Sequence, residues 1–270
     1  MDTPGRPSRL VLLGSDVGSS LSPTFQRAAL AAAAIPLSYD AVDVKPENLL
    51  TAIDEIRRAN IAGNVTRPHK PAFHDACDIL SPIAQRVGAV NTFWVKDGSL
   101  CGDNTDVDGF DLAARELLTG KTEGVEALVL GAGGAAAAVL AAMERWPSAR
   151  AVIVSRNRSK ASRLATRYSG VATIEPDAGR AAGHSGLIVN ATPVGQHDDL
   201  FPLDPALIRR ETAVMDLVYR RGETAWVRAL RANGNAVRDG MTMLLEQGAL
   251  SFSRWFGMDP DRKAMRESLR

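Results

Sequence analysis

The sequence predicts an α/β protein of two domains, and three observations predict it. The chain has 270 residues, more than one ordinary domain and fewer than three. Short β-branched runs alternate with longer helical patterns along nearly its whole length. One strand-like run, Ala127 to Leu130, passes straight into the glycine-rich GAGGAA, where a second round of alternation is under way.

Composition narrows the function classes. Hydrophobic content of 45% with 23% charged residues is that of a soluble globular protein, and a net charge of +1 gives no global attraction for nucleic acid or membrane. A polyanionic partner is therefore not expected. Cys77 and Cys101 are the only cysteines, with no CxxC and no clustered His, which argues against a disulfide framework and a structural zinc site; no metal is expected, and a reducing cytoplasm fits. The start, MDTPGRPSR, lacks the apolar core of a signal peptide. The longest apolar stretch, Ala127 to Met143, is mostly Ala and Gly and is broken by GAGG, so it is not read as a membrane span.

In order, the pattern gives a strand at Leu10 to Leu13 and a helix from about Pro23 to Ala34, with Ser22 as N-cap before a proline in the first turn. A strand near Tyr39 to Val44, a helix near Glu47 to Asn60 and a strand near Ile61 to Thr66 follow. Short helices then run to about Arg86, and a strand covers Ala89 to Val95. The second cycle opens with a helix from Asp106 to Leu118. After Ala127 to Leu130, further strands are expected at Ala151 to Val154, Val171 to Ile174, Gly186 to Asn190, Ala213 to Leu217 and Ala236 to Val237, paired in parallel. The helical tail Met241 to Phe256 comes after the second domain is complete and is expected to pack on the first. The domain boundaries that follow are 1–105 completed by 240–270, and 106–239.

In the glycine turn, Gly131 and Gly133 are the first two glycines of GxGxxG, and Ala136 takes the third place. Such a turn brings backbone amides against a pyrophosphate at a helix N-terminus. Its other reading is close helix-on-sheet packing. About twenty residues on, where an NAD enzyme carries an acid for the ribose hydroxyls, the chain has SRNRSK, Ser155 to Lys160. Arg156 with Lys160 one turn away suits a 2′-phosphate, which points to NADP; Arg163 and Arg167 read as a solvated basic face.

Polar side chains also gather in GSSLSP, GNVTRPHK, GAVNT, GDNTDVDGF and GMTMLLEQG. Each alone has a local reading: Ser22 caps its helix, Asn91 satisfies a turn, Asp106 caps the helix after it, Gln247 lies exposed. In this order, and joined by GAGGA, NATPVG at 190 to 195 and DLVY at 216 to 219, they resemble the shikimate dehydrogenase family across nearly the whole chain.

The resemblance implies an N-terminal α/β substrate-binding domain closed by the C-terminal helices, a Rossmann-type NADP-binding domain, and a cleft between them. It implies Lys70 and Asp106 as the catalytic pair. Ser20 and Ser22, with Tyr219, would hold the substrate carboxylate, and Thr66, Asn91, Asp106 and Gln247 the ring hydroxyls. Gly131, Ala132, Gly133, Gly134, Ala135, Arg156, Asn157 and Lys160 would bind NADP, with Thr192, Leu217 and Gly240 near its nicotinamide half. The activity implied is the reversible reduction of 3-dehydroshikimate to shikimate in aromatic amino-acid biosynthesis, by a monomer or a homodimer.

The chain departs from the family pattern at Asp16, Ser19, Arg67, Val107 and Gln196. Arg67 has three possible places: on substrate, paired with Asp103 or Asp106, or in solvent. Rival readings are a paralogue acting on quinate or an aminoshikimate, and a catalytically silent NADP sensor. Keeping both Ser20 and Ser22 favours shikimate, and a sensor has no need of the Lys70–Asp106 pair. His69, despite its intrinsic pKa, is read as a variable packing position.

Overall fold

The structure is a computed structural model that describes residues 6–220 and 222–270. The N-terminal reading of MDTPGRPSR falls in part on residues 1–5, which lie outside the described residues. The chain divides into two compact units, Met1–Asp106 with Leu245–Arg270, and Val107–Leu244.

In the first unit β1 (Leu10–Gly14) is buried at every position, and this all-apolar run takes the interior of a six-stranded sheet. Parallel strands β2 (Tyr39–Asp43) and β3 (Ala62–Val65) flank it. The crossovers are α1 (Ser22–Ala32) and α2 (Leu49–Ala59). Leu49, Ile53 and Ile56 give α2 its buried stripe, each such side chain contributing about 1.5–3 kcal/mol, and Asn60 ends the helix in the left-handed region at φ 50°.

The chain continues through α3 (Lys70–Ala76), β4 (Ile79–Leu80), α4 (Pro82–Val87), β5 (Thr92–Lys96) and β6 (Ser99–Asp103). The sheet order is β2-β1-β3-β5-β6-β4, with β5 antiparallel to both β3 and β6.

The pattern reading differs from this unit at several places, and β4 and the short helix Arg262–Glu267 are among the elements it did not give. Strand β6 was not expected, although Asp97 and Gly98, both at positive φ, form the tight turn that a hairpin requires. The strand expected from Ala89 starts only at Thr92, because the Val90 amide donates to Lys70 O and the Asn91 amide to Asp103 O, each at 3.0 Å. Ser22 does not cap α1: the cap position is Leu21, which makes no side-chain cap bond, and the Ser22 amide instead donates to Ser20 Oγ at 3.3 Å.

From α5 (Thr105–Leu117) the chain enters the second unit. There β7 (Glu126–Leu130), α6 (Gly134–Met143), β8 (Arg150–Val154), α7 (Arg158–Arg167), β9 (Ala172–Ile174), α8 (Ala178–Ala182), β10 (Leu187–Asn190), β11 (Ala213–Asp216), α9 (Ala225–Asn233) and β12 (Val237–Arg238) follow. The sheet is wholly parallel, in the order β12-β11-β10-β7-β8-β9. Helix α6 is apolar on every face and is buried from Ala136 to Met143.

The chain returns to the first unit within α10 (Gly240–Phe256) and ends with α11 (Arg262–Glu267). Gly248 on α10 packs so closely on α1 that an added Cβ would lie 2.4 Å from the Phe25 ring. Among the described residues no helix is long and apolar enough to cross a membrane.

Burial pushes the Cys77 thiol up to about 12, with Cys101 and Asp78 nearby adding to the shift, and burial raises Cys101 as well. At about pH 8 both thiols are therefore expected to resist iodoacetamide in the native protein and to react once it is unfolded. Because the unfolded chain gives up the Cys77 proton from its ordinary 9.0 while the native state holds it to about 12, stability should fall as pH rises across that window. Rapid native alkylation, or stability flat across that window, would contradict the burial.

Candidate active site

The segment after β3 is stitched to the ends of the neighbouring strands. The Thr66 amide donates to Leu13 O at 2.7 Å and the Ser15 amide to Arg67 O at 3.1 Å. His69 is buried and its Nε2 donates to Val44 O at 2.6 Å, which requires the proton to sit on that nitrogen. Beyond packing, His69 thus pins the turn that carries Lys70 to the start of α3.

Lys70 Nζ donates to Asp106 Oδ2 at 2.6 Å, and both side chains keep limited solvent access, 23% and 13%. Asp106 comes from the first turn of α5 and does not cap it; Asn104 does, its side-chain oxygen accepting the Asp106 amide at 3.2 Å. Behind the pair stands Asn91. Its Nδ2 lies 2.9 Å from Asp106 Oδ1, 2.9 Å from Thr105 Oγ1 and 3.2 Å from Gln247 Oε1. Its Oδ1 accepts the Thr105 amide at 2.7 Å.

Lys70, Asp106, Asn91 and Gln247, four residues singled out in the sequence, are thus brought together. Ser20 and Ser22 lie on the turn into α1, the first half-buried and the second buried, and Thr66 follows β3. Their side chains stand outside these bonds.

Asp103, three residues before Asp106, is buried, with its side chain 1% exposed. Its carboxylate accepts from Arg254 Nε on α10 at 2.7 Å, from the Asn104 amide at 2.7 Å and from the Ser81 hydroxyl. A carboxylate so buried is tolerable only with such partners. Asp103 and Asp106 thus pair with Arg254 and Lys70, and Arg67 is an exposed residue.

In the second unit the glycine turn fits a dinucleotide cradle. Gly131 stands at φ 110°, a region L side chains rarely adopt, and a Cβ there would lie 2.9 Å from Ala191 O. A Cβ on Gly133 or Gly134 would meet nothing within 4 Å, so the helix N-terminus is open, and no side chain caps it. Just past β8, Arg156 and, in the first turn of α7, Lys160 are exposed, and the side chain of neither pairs with any described residue. Asn157 Oδ1 is committed to capping α7 through the Lys160 amide at 2.9 Å.

The two strand ends beyond the cradle are tied by Asn190 and Asp216. Asn190 Oδ1 accepts the Thr192 amide at 3.0 Å and its hydroxyl at 2.6 Å, while Asn190 Nδ2 donates to Asp216 Oδ1 at 2.8 Å. Asp216 also accepts the Val218 amide and the Thr224 hydroxyl, at 3.1 and 2.8 Å. Burial raises the Asp216 carboxyl, against the pull of those bonds. Thr192 thus has its hydroxyl proton directed at Asn190. Gly240 lies so close to Leu217 that a Cβ would stand 2.4 Å from its carbonyl oxygen. Tyr219, three residues past Asp216, is half-buried.

The sequence reading did not single out Asn64, Asn104, Thr105, Asn190, Asp216, Ser251 or Arg254 as site residues. All but the last two fall inside the motifs it quoted, and their signal was membership of those motifs. Ser251 and Arg254 carry none.

A family model for the shikimate dehydrogenase substrate binding domain matches residues 12–93, and one for the shikimate 5′-dehydrogenase C-terminal domain matches residues 240–270. The shikimate dehydrogenase (NADP(+)) of Rubrobacter xylanophilus is 42% identical, over 98% of this chain and 96% of that one. The crystal structure of Thermus thermophilus shikimate 5-dehydrogenase in complex with NADP(H) and shikimate is 39% identical and superposes with a TM-score of 0.89, covering 97% of this chain and 98% of that one. Corynebacterium glutamicum quinate dehydrogenase, solved with NAD, gives a TM-score of 0.89 at 27% identity, covering 98% of this chain and 99% of that one. Carrying the Lys70–Asp106 pair and an open glycine cradle, and similar from end to end to these proteins, the chain belongs to the shikimate dehydrogenase family.

Proposed function

We propose that the protein is an NADP-dependent oxidoreductase that interconverts 3-dehydroshikimate and shikimate, with Lys70 and Asp106 as its acid–base pair. The observation that carries the reading is the 2.6 Å bond between Lys70 Nζ and Asp106 Oδ2, backed by a second bond from Asn91 to the other carboxylate oxygen. When bound, NADP supplies the hydride acceptor in one direction and the hydride donor in the other. The chain's own part is to hold the ring and to manage one proton.

Lys70 Nζ, kept in place by Asp106, takes the hydroxyl proton as the alcohol is oxidised and returns it in the reductive direction, where its donated hydrogen bond also steadies negative charge on the reacting oxygen. Ser20 and Ser22 hold the carboxylate, and Thr66 and Gln247 the ring hydroxyls, while Asn91 stays bonded to Asp106. The open turn from Gly131 to Ala135 cradles the pyrophosphate, and Arg156 with Lys160 takes the 2′-phosphate. Asn157 works there as the cap that sets the first turn of α7.

Retention of both Ser20 and Ser22 favours shikimate over quinate, which brings a further hydroxyl near the carboxylate. A reducing compartment suits the two free thiols, and the proposed setting is the cytoplasm.

Initial rates with shikimate and quinate, each against NADP and NAD, test the reading. Shikimate with NADP should be the preferred pair, and a wild type that turns over neither ring substrate would defeat it. Lys70→Ala is expected to lower kcat by roughly a thousandfold, the scale of a lost general acid–base group, and activity within tenfold of wild type would remove Lys70 from the chemistry. Arg156→Ala should weaken NADP binding by about ten- to a hundredfold, as loss of a charge-assisted bond implies, while sparing NAD. An unchanged NADP affinity would overturn the phosphate assignment.

A further inference from the structure

We propose that Ser251, on α10, is a positioning residue for the Lys70–Asp106 pair, a role that rests on the dehydrogenase reading of that pair. Ser251 is fully buried, at 0% exposure, and acts through Asn64, Thr105 and Asn91. Its hydroxyl donates to Gln247 O one turn earlier at 2.9 Å, so toward its other neighbours its oxygen serves as an acceptor. Two donors converge on it: Asn64 Nδ2 at 2.9 Å and the Thr105 hydroxyl at 3.1 Å.

Most bond directions in this chain are fixed by groups that have no choice; the Thr105 hydroxyl has two acceptors, Ser251 Oγ at 3.1 Å and Asn91 Oδ1 at 3.2 Å, and donates to Ser251 because Asn91 Oδ1 already takes the Thr105 amide. Asn64 Nδ2 also donates to the carbonyl of Asn91 at 3.0 Å, and the Tyr39 phenol donates to Asn64 Oδ1 at 2.8 Å, so the Asn64 amide has one orientation. With its proton directed at Ser251, the Thr105 hydroxyl offers a lone pair to Asn91 Nδ2 at 2.9 Å. The second Nδ2 proton is then left for Asp106 Oδ1. Ser251 thus sets the Thr105 hydroxyl, the hydroxyl helps set the Asn91 amide, and the amide holds the catalytic carboxylate.

Without Ser251 Oγ, one Asn64 N–H is left buried without that partner. The Thr105 proton then turns to Asn91 Oδ1, already 3.2 Å away, where it competes with the Thr105 amide for the same oxygen. The Thr105 amide still holds the Asn91 carboxamide the same way round, but Asn91 Nδ2 no longer has the Thr105 lone pair aimed at it, and the division of its two protons that serves Asp106 Oδ1 is lost.

The test is a double-mutant cycle with Ser251→Ala and Asn91→Ala, reading kcat and KM for shikimate, KM for NADP and the thermal midpoint of each variant. Ser251→Ala is expected to lower kcat about tenfold, since small misplacements of catalytic groups cost this much or more, with KM for NADP within about twofold. In the Asn91→Ala background the same substitution should change kcat by less than about twofold, because the relay it feeds is gone. A merely structural role would give effects that multiply.

Unchanged kcat in Ser251→Ala beside an active wild type, or multiplying effects in the cycle, overturns the role of Ser251 alone. A wild type that turns over no shikimate removes the dehydrogenase reading and this role with it.

Discussion

The backbone N–H of Thr105 meets the side-chain oxygen of Asn91 at 2.7 Å, and that bond decides which way the Asn91 carboxamide faces. A backbone amide can only donate, so the NH₂ end must point the other way, toward Asp106, Thr105 Oγ1 and Gln247. From there the order passes to Lys70. Because Asn91 is 2% exposed, its bonds compete weakly with water and hold their geometry, as preorganised electrostatic catalysis requires.

The same device recurs in the second unit. Asn190 and Asp216, both fully buried, join the ends of adjacent parallel strands, and each turns its remaining bonds outward to a loop, Thr192 in one case and Val218 in the other. In both units a buried amide sits behind the functional segment. The cost is desolvation of a carboxylate, visible in the raised Asp216, and it is offset by three hydrogen bonds to that side chain.

Much of this was legible in the sequence, for physical reasons that also mark where legibility stopped. Alternation of apolar runs identifies β1 and β7 because a strand buried on both faces must be apolar throughout. The GAGGA turn was legible because Gly131 must accept a backbone conformation closed to other residues. Strand β6, SLCGD, escaped because its short run ends in a glycine and an acid, and only its pairing with β5 makes it a strand. The Ser22 cap failed because capping depends on backbone angles that Pro23 does not dictate. His69 was read as packing alone, since nothing local announces a bond to Val44, twenty-five residues away. Ser251 was invisible for a similar reason: its partners Asn64 and Thr105 lie 187 and 146 residues away.

The most direct test of the account is the turnover number of Asn91→Asp with shikimate and NADP. This substitution keeps an oxygen for the Thr105 amide but replaces the donor facing Asp106 with a second carboxylate oxygen. We predict a fall in kcat of at least about a hundredfold, as expected when a catalytic carboxylate meets a like charge in place of a donor. A variant that keeps kcat within about threefold of wild type, folded and binding NADP normally, would contradict the claim that Asn91 orients the Lys70–Asp106 pair.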